Sequence, residues 1–252
     1  MPTSAEDVCQ GFGPQTPRDI DQKAGENPRV FGFAPESTQM NLCNIHFHKH
    51  AEHKARAYSV AANPGHGHSE HPGVGGGFRC NDSEALPAEL LQPAAADDCK
   101  LIEAGDTIEV HWVHTSCDIT PGPTLGACLS PDNCANPGLR VEAQVFLLVN
   151  DPAALDFAEF AYGGNVVNGY HQAKTLPGDT GEPVKFLGST TGPKYNDGSC
   201  SNLQVSWSVR PECARLDIHS LHRWCKDNAF NEHEAHGVRH LVTDVKLLSP
   251  ID

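Results

Sequence analysis

The chain has 252 residues, long enough to bury a sizeable core as one large domain or two small ones. Its formal net charge of -14 repels phosphate, which argues against nucleic acids and anionic membranes as partners. No apolar run reaches the ~18 residues of a membrane-spanning helix.

Met1 opens no visible signal peptide. Pro2 to Asp7 read as the start of a mature chain behind an added Met, and residues 1–8 as a flexible N-terminus. The ten cysteines are many for a cytosolic protein, and none forms a Cys-x-x-Cys pair. Their scatter reads as a disulfide framework of up to five bridges, which places the chain in an oxidising compartment, secreted or periplasmic. High Gly and Pro content suits many turns between short strands.

In chain order, Cys9 to Asp21 is rich in turn formers and is expected to lie over the surface of a sheet. Val30 to Ala34 is a short strand candidate. Met40 to His48 is a stronger one: His46 and His48 alternate with Ile45 and Phe47, so a strand carries both imidazoles on one face. Lys54 to Ala61 reads as its hairpin partner or continuation. Asn63 to Gly77 is a Gly-rich loop with His66, His68 and His71, best read as solvated. Ser83 to Leu91 is a short helix candidate with Ser83 as N-cap.

Thr107 to Thr115 is the second strong strand, with Glu109, His111 and Val113 on one face and Val110, Trp112 and His114 on the other. If the two strands are neighbours, His46, His48 and His111 converge. Three neutral imidazoles with a fourth position left for water make a catalytic zinc site, whereas a structural site closes all four positions. Asn44 and Glu109 each precede a histidine by two residues on its own face, where they can orient it.

Cys117 to Pro137 is a long loop, and the apolar run Val145 to Val149 within Leu139 to Asn150 reads as a buried central strand. Pro152 to Phe160 is a short helix candidate. Val184 to Leu187, Leu203 to Val209 and Leu216 to Leu221 are strand candidates. In Asn231 to His240, His233-Glu-Ala-His236 is one residue too short for the metalloprotease helix signature His-Glu-x-x-His, so the segment reads as a polar tail.

Taken together and in order, these segments resemble a carbonic anhydrase. Asn44-Ile-His-Phe-His48, Ala51-Glu-His53 and Ile108-Glu-Val-His-Trp-Val-His114 are similar to the zinc-binding strands of the alpha class. Gly13-Pro-Gln-Thr-Pro-Arg-Asp-Ile20, Gly188-Ser-Thr-Thr-Gly-Pro193 and Val205-Ser-Trp207 are similar to other segments of that class. Only three residues separate His48 from Glu52, fewer than in the alpha class. The Cys-rich loops and the wording Asn-Ile-His-Phe-His-Lys-x-Ala-Glu-His-Lys are closer to the delta class, known from marine algae and bacteria.

The resemblance implies a mainly β (α+β) fold, a single domain over residues 1–252. It implies a large twisted, mostly antiparallel central sheet, few short helices and loops pinned by disulfides. It implies a zinc enzyme, with one Zn²⁺ per chain, that interconverts carbon dioxide and bicarbonate through a zinc-bound hydroxide. Thr190 or Thr191 would accept a hydrogen bond from that hydroxide and donate its own to Glu52. The turn is one residue short of the alpha pattern, which leaves both threonines open.

Val113, Val205 and Trp207 would wall the substrate pocket; that Val113 shares a face with His111 supports this independently. Proton-shuttle candidates are His50, His53, His66, His68, His71 and His114. Secreted bacterial alpha-class relatives join segments beside Cys9 and Cys200 by a disulfide, which implies a Cys9–Cys200 bridge. The competing reading is a non-catalytic secreted or periplasmic zinc or copper binding protein, distinguished by several labile ions in place of one tightly held zinc.

Overall fold

The computed structural model describes residues 9, 11–62, 76–129, 134–192, 195 and 199–252; residues 1–8 and the candidates His66, His68 and His71 lie outside them. The strands are β1 (Asn41–Lys49), β2 (Val60–Ala61), β3 (Phe78–Arg79), β4 (Thr107–Thr115), β5 (Leu139–Val149), β6 (Val166–Val167), β7 (Tyr170–His171), β8 (Val184–Ser189) and β9 (Gln204–Asp217). Five of them form a mixed sheet in the order β1-β4-β5-β9-β8, in which the β5–β9 pair is parallel and the other three pairs are antiparallel. Every residue of β5 is buried, as its continuous apolar run requires of a strand covered on both faces.

The sheet separates two apolar clusters. Ile45, Phe47, Val110, Trp112, Phe146 and Leu148 face one of them, together with α1 (Ile218–Lys226). Val113, Val141, Ala143, Val145, Val205 and Trp207 face the other, on the side of the predicted histidines. Between Ala143↔Val209 and Val145↔Cys213 the β5–β9 register skips Arg210, Pro211 and Glu212. A proline, which cannot donate to a ladder, is tolerated in a long strand at such a bulge.

Several local expectations are corrected. The Cys9–Asp21 arm is not laid over the surface: Gln15, Thr16, Arg18 and Ile20 are buried. Its polar side chains replace a missing ladder, with Gln15 donating to Ser201 O at 2.9 Å and Thr16 Oγ1 accepting from Ser189 N–H at 3.1 Å. Val30–Ala34 is not a strand, and Val30 is 87% exposed. Lys54–Ala61 is not the hairpin partner of β1: Ala55 and Tyr58 close a tight turn, and Val60–Ala61 pairs with β3.

The Ser83–Leu91 helix is instead two 3-10 turns, Asn81–Ala85 and Ala88–Leu91. Pro87 forces Leu86 between them into an extended conformation, and Ser83 caps neither turn. Pro152–Phe160 holds only the 3-10 turn Phe157–Glu159. The strand expected at Leu216–Leu221 ends at Asp217, whose carboxylate accepts from His219 N–H and Ser220 N–H and starts α1.

All ten cysteines are paired: Cys9–Cys200, Cys43–Cys128, Cys80–Cys213, Cys99–Cys225 and Cys117–Cys134. Five bridges point to an oxidising compartment. No helix among the described residues is long and apolar enough to cross a membrane.

His114 is 1% exposed, and burial pushes its pKa down to about 4, with Arg140 adding to the shift against a bond to Trp112 O. Since the unfolded chain takes up this proton near 6.5, stability is full above that pH and falls as pH drops through about 4, by on the order of 3 kcal/mol. Denaturant titrations of metal-free wild type and His114→Gln at pH 7 and 4.5 should show a smaller acid loss in the variant. Equal losses would remove His114 as a source of acid lability.

Candidate metal centre

β1 and β4 pair with His46 opposite His111 and His48 opposite Glu109. Cross-strand neighbours sit about 5 Å apart, so the three imidazoles meet on one face of the sheet. Their ring centroids are 5.2 Å (His46–His48), 5.0 Å (His46–His111) and 4.8 Å (His48–His111) apart. One nitrogen from each lies within 4.8 Å of the others.

The far nitrogen of each ring is tied to an acceptor, which fixes its tautomer. His46 Nδ1–H donates to Asn44 Oδ1 at 2.7 Å, and the Asn44 amide donates in turn to Gly122 O at 3.2 Å. His48 Nδ1–H donates to Gly237 O at 2.8 Å, and His111 Nε2–H donates to Glu109 Oε1 at 2.8 Å. Lone pairs are left on His46 Nε2, His48 Nε2 and His111 Nδ1. His111 Nδ1 and His46 Nε2 face each other at 3.2 Å with no proton to share, and His48 Nε2 is buried without a hydrogen-bond partner.

Burial pushes His46 well below the ordinary histidine pKa and His48 down to about 4, with neighbouring imidazoles adding to both shifts. His46 and His48 are therefore neutral at pH 7, as metal ligation requires. Three converging imidazoles with fixed lone pairs suit a divalent transition metal, and zinc in particular.

The next layer holds these rings in turn. Glu109 is fully buried, and burial alone would raise its pKa. Beside His53 and His111 it is instead held well below the usual carboxylate range. It accepts from His53 Nδ1–H at 2.7 Å and from His53 N–H at 3.1 Å. Glu52 Oε2 accepts from the Thr191 hydroxyl at 3.0 Å, and Glu52 Oε1 from Arg239 N–H at 3.2 Å. Thr190 instead bonds Ser201 Oγ at 2.6 Å. Of the two threonines left open by the sequence, Thr191 is therefore the one joined to Glu52.

A cavity of about 160 Å³ opens beside the histidines, lined by His46, His111, Thr190 and Thr191 together with the predicted wall Val113, Val205 and Trp207. Leu125, Cys128, Leu129, Leu139, Val141, Tyr195 and Leu203 complete the lining. Of the described shuttle candidates, His53 and His114 are sealed from solvent, and His114 faces away on the opposite side of the sheet. His50 is bonded to Gly76 O at 2.9 Å, and burial lowers its pKa.

The segment read as a polar tail instead closes the site. Gly237 O holds His48, Arg239 N–H holds Glu52, and the His236 ring lies 5.5 Å from His46 and 5.7 Å from His48. His236 is half exposed, and burial alone would lower its pKa, but a 2.8 Å bond to Glu232 raises it. The only signal in the sequence was the density of His and Glu there, which a helix-spacing test could not interpret in a segment pairing with β1 at His48.

Three tautomer-fixed imidazoles beside an apolar cavity, with Thr191 on its wall bonded to a buried Glu52, make a group that could hold a metal ion. The chain belongs to the delta carbonic anhydrase family, whose model matches residues 37–220. No curated protein matches it. Among solved structures it is similar to a hyperthermostable carbonic anhydrase from an active hydrothermal vent chimney, at 14% identity and a TM-score of 0.37, over 98% of this chain and 90% of that one. It is also similar to the Thermovibrio ammonificans alpha-carbonic anhydrase bound to the inhibitor sulfanilamide, at 14% identity and a TM-score of 0.28, over 92% and 87% of the two chains. The Photobacterium profundum alpha-carbonic anhydrase matches at 17% identity and a TM-score of 0.26, over 90% and 88%.

Replacing Asn44 with Ala frees the His46 ring and should weaken zinc binding by about 10–100-fold. A chelator competition that returns the wild-type affinity would remove Asn44 from that role.

Proposed function

We propose that this protein hydrates carbon dioxide reversibly to bicarbonate and a proton, with one Zn²⁺ per chain held by His46, His48 and His111. The observation that carries the reading is the set of three fixed lone pairs on His46 Nε2, His48 Nε2 and His111 Nδ1, one of them buried without a partner. Zinc bound by three imidazoles keeps one position open and lowers the pKa of a water there to about 7.

The remaining chemistry falls to the side chains. As a carboxylate, Glu52 only accepts, so the Thr191 hydroxyl must donate to it. The Thr191 oxygen then faces the cavity as an acceptor only. It receives the O–H of the attacking oxygen and turns that oxygen's lone pair towards the substrate, an orientation effect. Arg239 N–H fixes the second oxygen of Glu52 and so the direction of the whole chain of bonds.

Val113, Val205 and Trp207 provide an apolar wall that suits an uncharged substrate and disfavours an anionic product. With His53 and His114 sealed, the proton leaves by a route nearer the cavity mouth. A secreted or periplasmic setting is supported by the five bridges and the absence of a free thiol among the cysteines.

Stopped-flow hydration of carbon dioxide by protein of measured zinc content, with and without chelator, tests the reading; zinc-loaded protein without activity would refute it. Within an active enzyme, Thr191→Ala and Glu52→Gln should each keep zinc and lose about 10²–10³ in kcat. Thr190→Ala, which breaks only the bond to Ser201, should lose far less. A Thr190 variant as impaired as the Thr191 variant would reverse the assignment.

A further inference from the structure

The antiparallel pairing of β1 and β4 runs Leu42↔His114 and then Asn44↔Val113, leaving Cys43 as an extra residue. Strict alternation would put Cys43 on the face of Ile45 and Phe47. It lies instead in the apolar cluster of Val113, Val141, Val205 and Trp207, the cluster on the metal side. A bulge re-aims a side chain in this way and offsets the pairing by one residue, after which the ladder continues regularly.

The side chain so turned is bonded to Cys128, at the end of the 3-10 turn Leu125–Cys128. The same segment is bonded to β1 twice more: Gly122 N–H donates to Cys43 O at 3.1 Å, and Gly122 O accepts from the Asn44 amide at 3.2 Å. Its other backbone bonds among the described residues are local, from Ala127 N–H to Thr124 O and from Leu129 N–H to Gly126 O.

Leu125, Cys128 and Leu129 line the cavity together with the sheet residues Val113, Val141, Val205 and Trp207. The sheet side is a rigid part of the core. The other side is a half-exposed turn whose apolar residues stay in place through one covalent bond and two hydrogen bonds to the strand that carries His46 and His48.

We infer that the segment Gly122–Leu129, bolted to β1 through Cys43–Cys128, is the specificity wall of the cavity, and that Leu125 and Leu129 set its width for a small, uncharged, linear substrate. This rests on the carbon dioxide reading above. The Leu125 and Leu129 side chains supply apolar contact, while the backbone of the segment meets the histidines only through the bond of Gly122 O to Asn44. Loss of the wall therefore weakens capture of the substrate rather than the chemistry that follows.

The test is stopped-flow carbon dioxide hydration on zinc-loaded wild type, Leu125→Ala, Leu129→Ala, the double variant Cys43→Ser/Cys128→Ser, and Cys99→Ser/Cys225→Ser, which removes a bridge on the opposite face of the sheet. The leucine variants and the first cysteine pair should raise KM about tenfold. In the leucine variants kcat should stay within about twofold and zinc content at one per chain. The second cysteine pair should leave KM unchanged.

If Cys43→Ser/Cys128→Ser does not fold, the leucine variants carry the test alone. An active wild type whose KM is indifferent to both leucines would overturn the wall. So would a rise in KM in Cys99→Ser/Cys225→Ser as large as that in the leucine variants. A zinc-loaded wild type with no activity would overturn the wall together with the reading on which it rests.

Discussion

The rest of the molecule depends on one pairing, that of His46 with His111 across two antiparallel strands. Side chains alternate along a strand, so a slip of one residue between β1 and β4 would send His111 to the face of Trp112 and replace it with an apolar side chain. The register is held from both sides. Ile45, Phe47, Val110 and Trp112 are all fully buried in the opposite cluster, and a slip would bring charged or polar groups into it. The hydrophobic effect on one face of the sheet thus positions the chemistry on the other.

Fixing ring direction is a separate task, performed by acceptors of three different kinds. His46 leans on a side-chain amide, His48 on a backbone carbonyl and His111 on a carboxylate. Only the first and third were legible in the sequence, because Asn44 and Glu109 stand two residues before their histidines on the same face. The Gly237 carbonyl has no sequence signature, since every residue carries one and only tertiary structure decides where it points. The choice between Thr190 and Thr191 was hidden for a similar reason. Adjacent hydroxyls in a turn diverge, and which one meets Glu52 depends on the backbone path, here steered by the bond of Thr190 to Ser201.

Legibility elsewhere followed the strength of the local pattern. The alternating strands β1 and β4 and the continuous apolar run of β5 were readable, since burial on one face or both leaves a clear mark. The helix α1 was missed although Asp217 is a regular N-cap, because Leu216 and Ile218 mimic the alternation of a strand. The Cys9–Asp21 arm misled in another way. Its turn formers suggested exposure, but Gln15 and Thr16 satisfy backbone groups inside the protein, as polar residues can when each finds a partner.

The final stretch of chain has a consequence in time as well as in space. Gly237 and Arg239 belong to a part of the polypeptide synthesised after every ligand and every strand of the sheet, yet one aims His48 and the other anchors Glu52. A chain emerging from the ribosome or a translocation pore can thus assemble its sheet while the His48 ring still rotates freely. The histidine cluster is completed last, when the carboxyl end folds back across the edge of β1 and fixes the direction of His48.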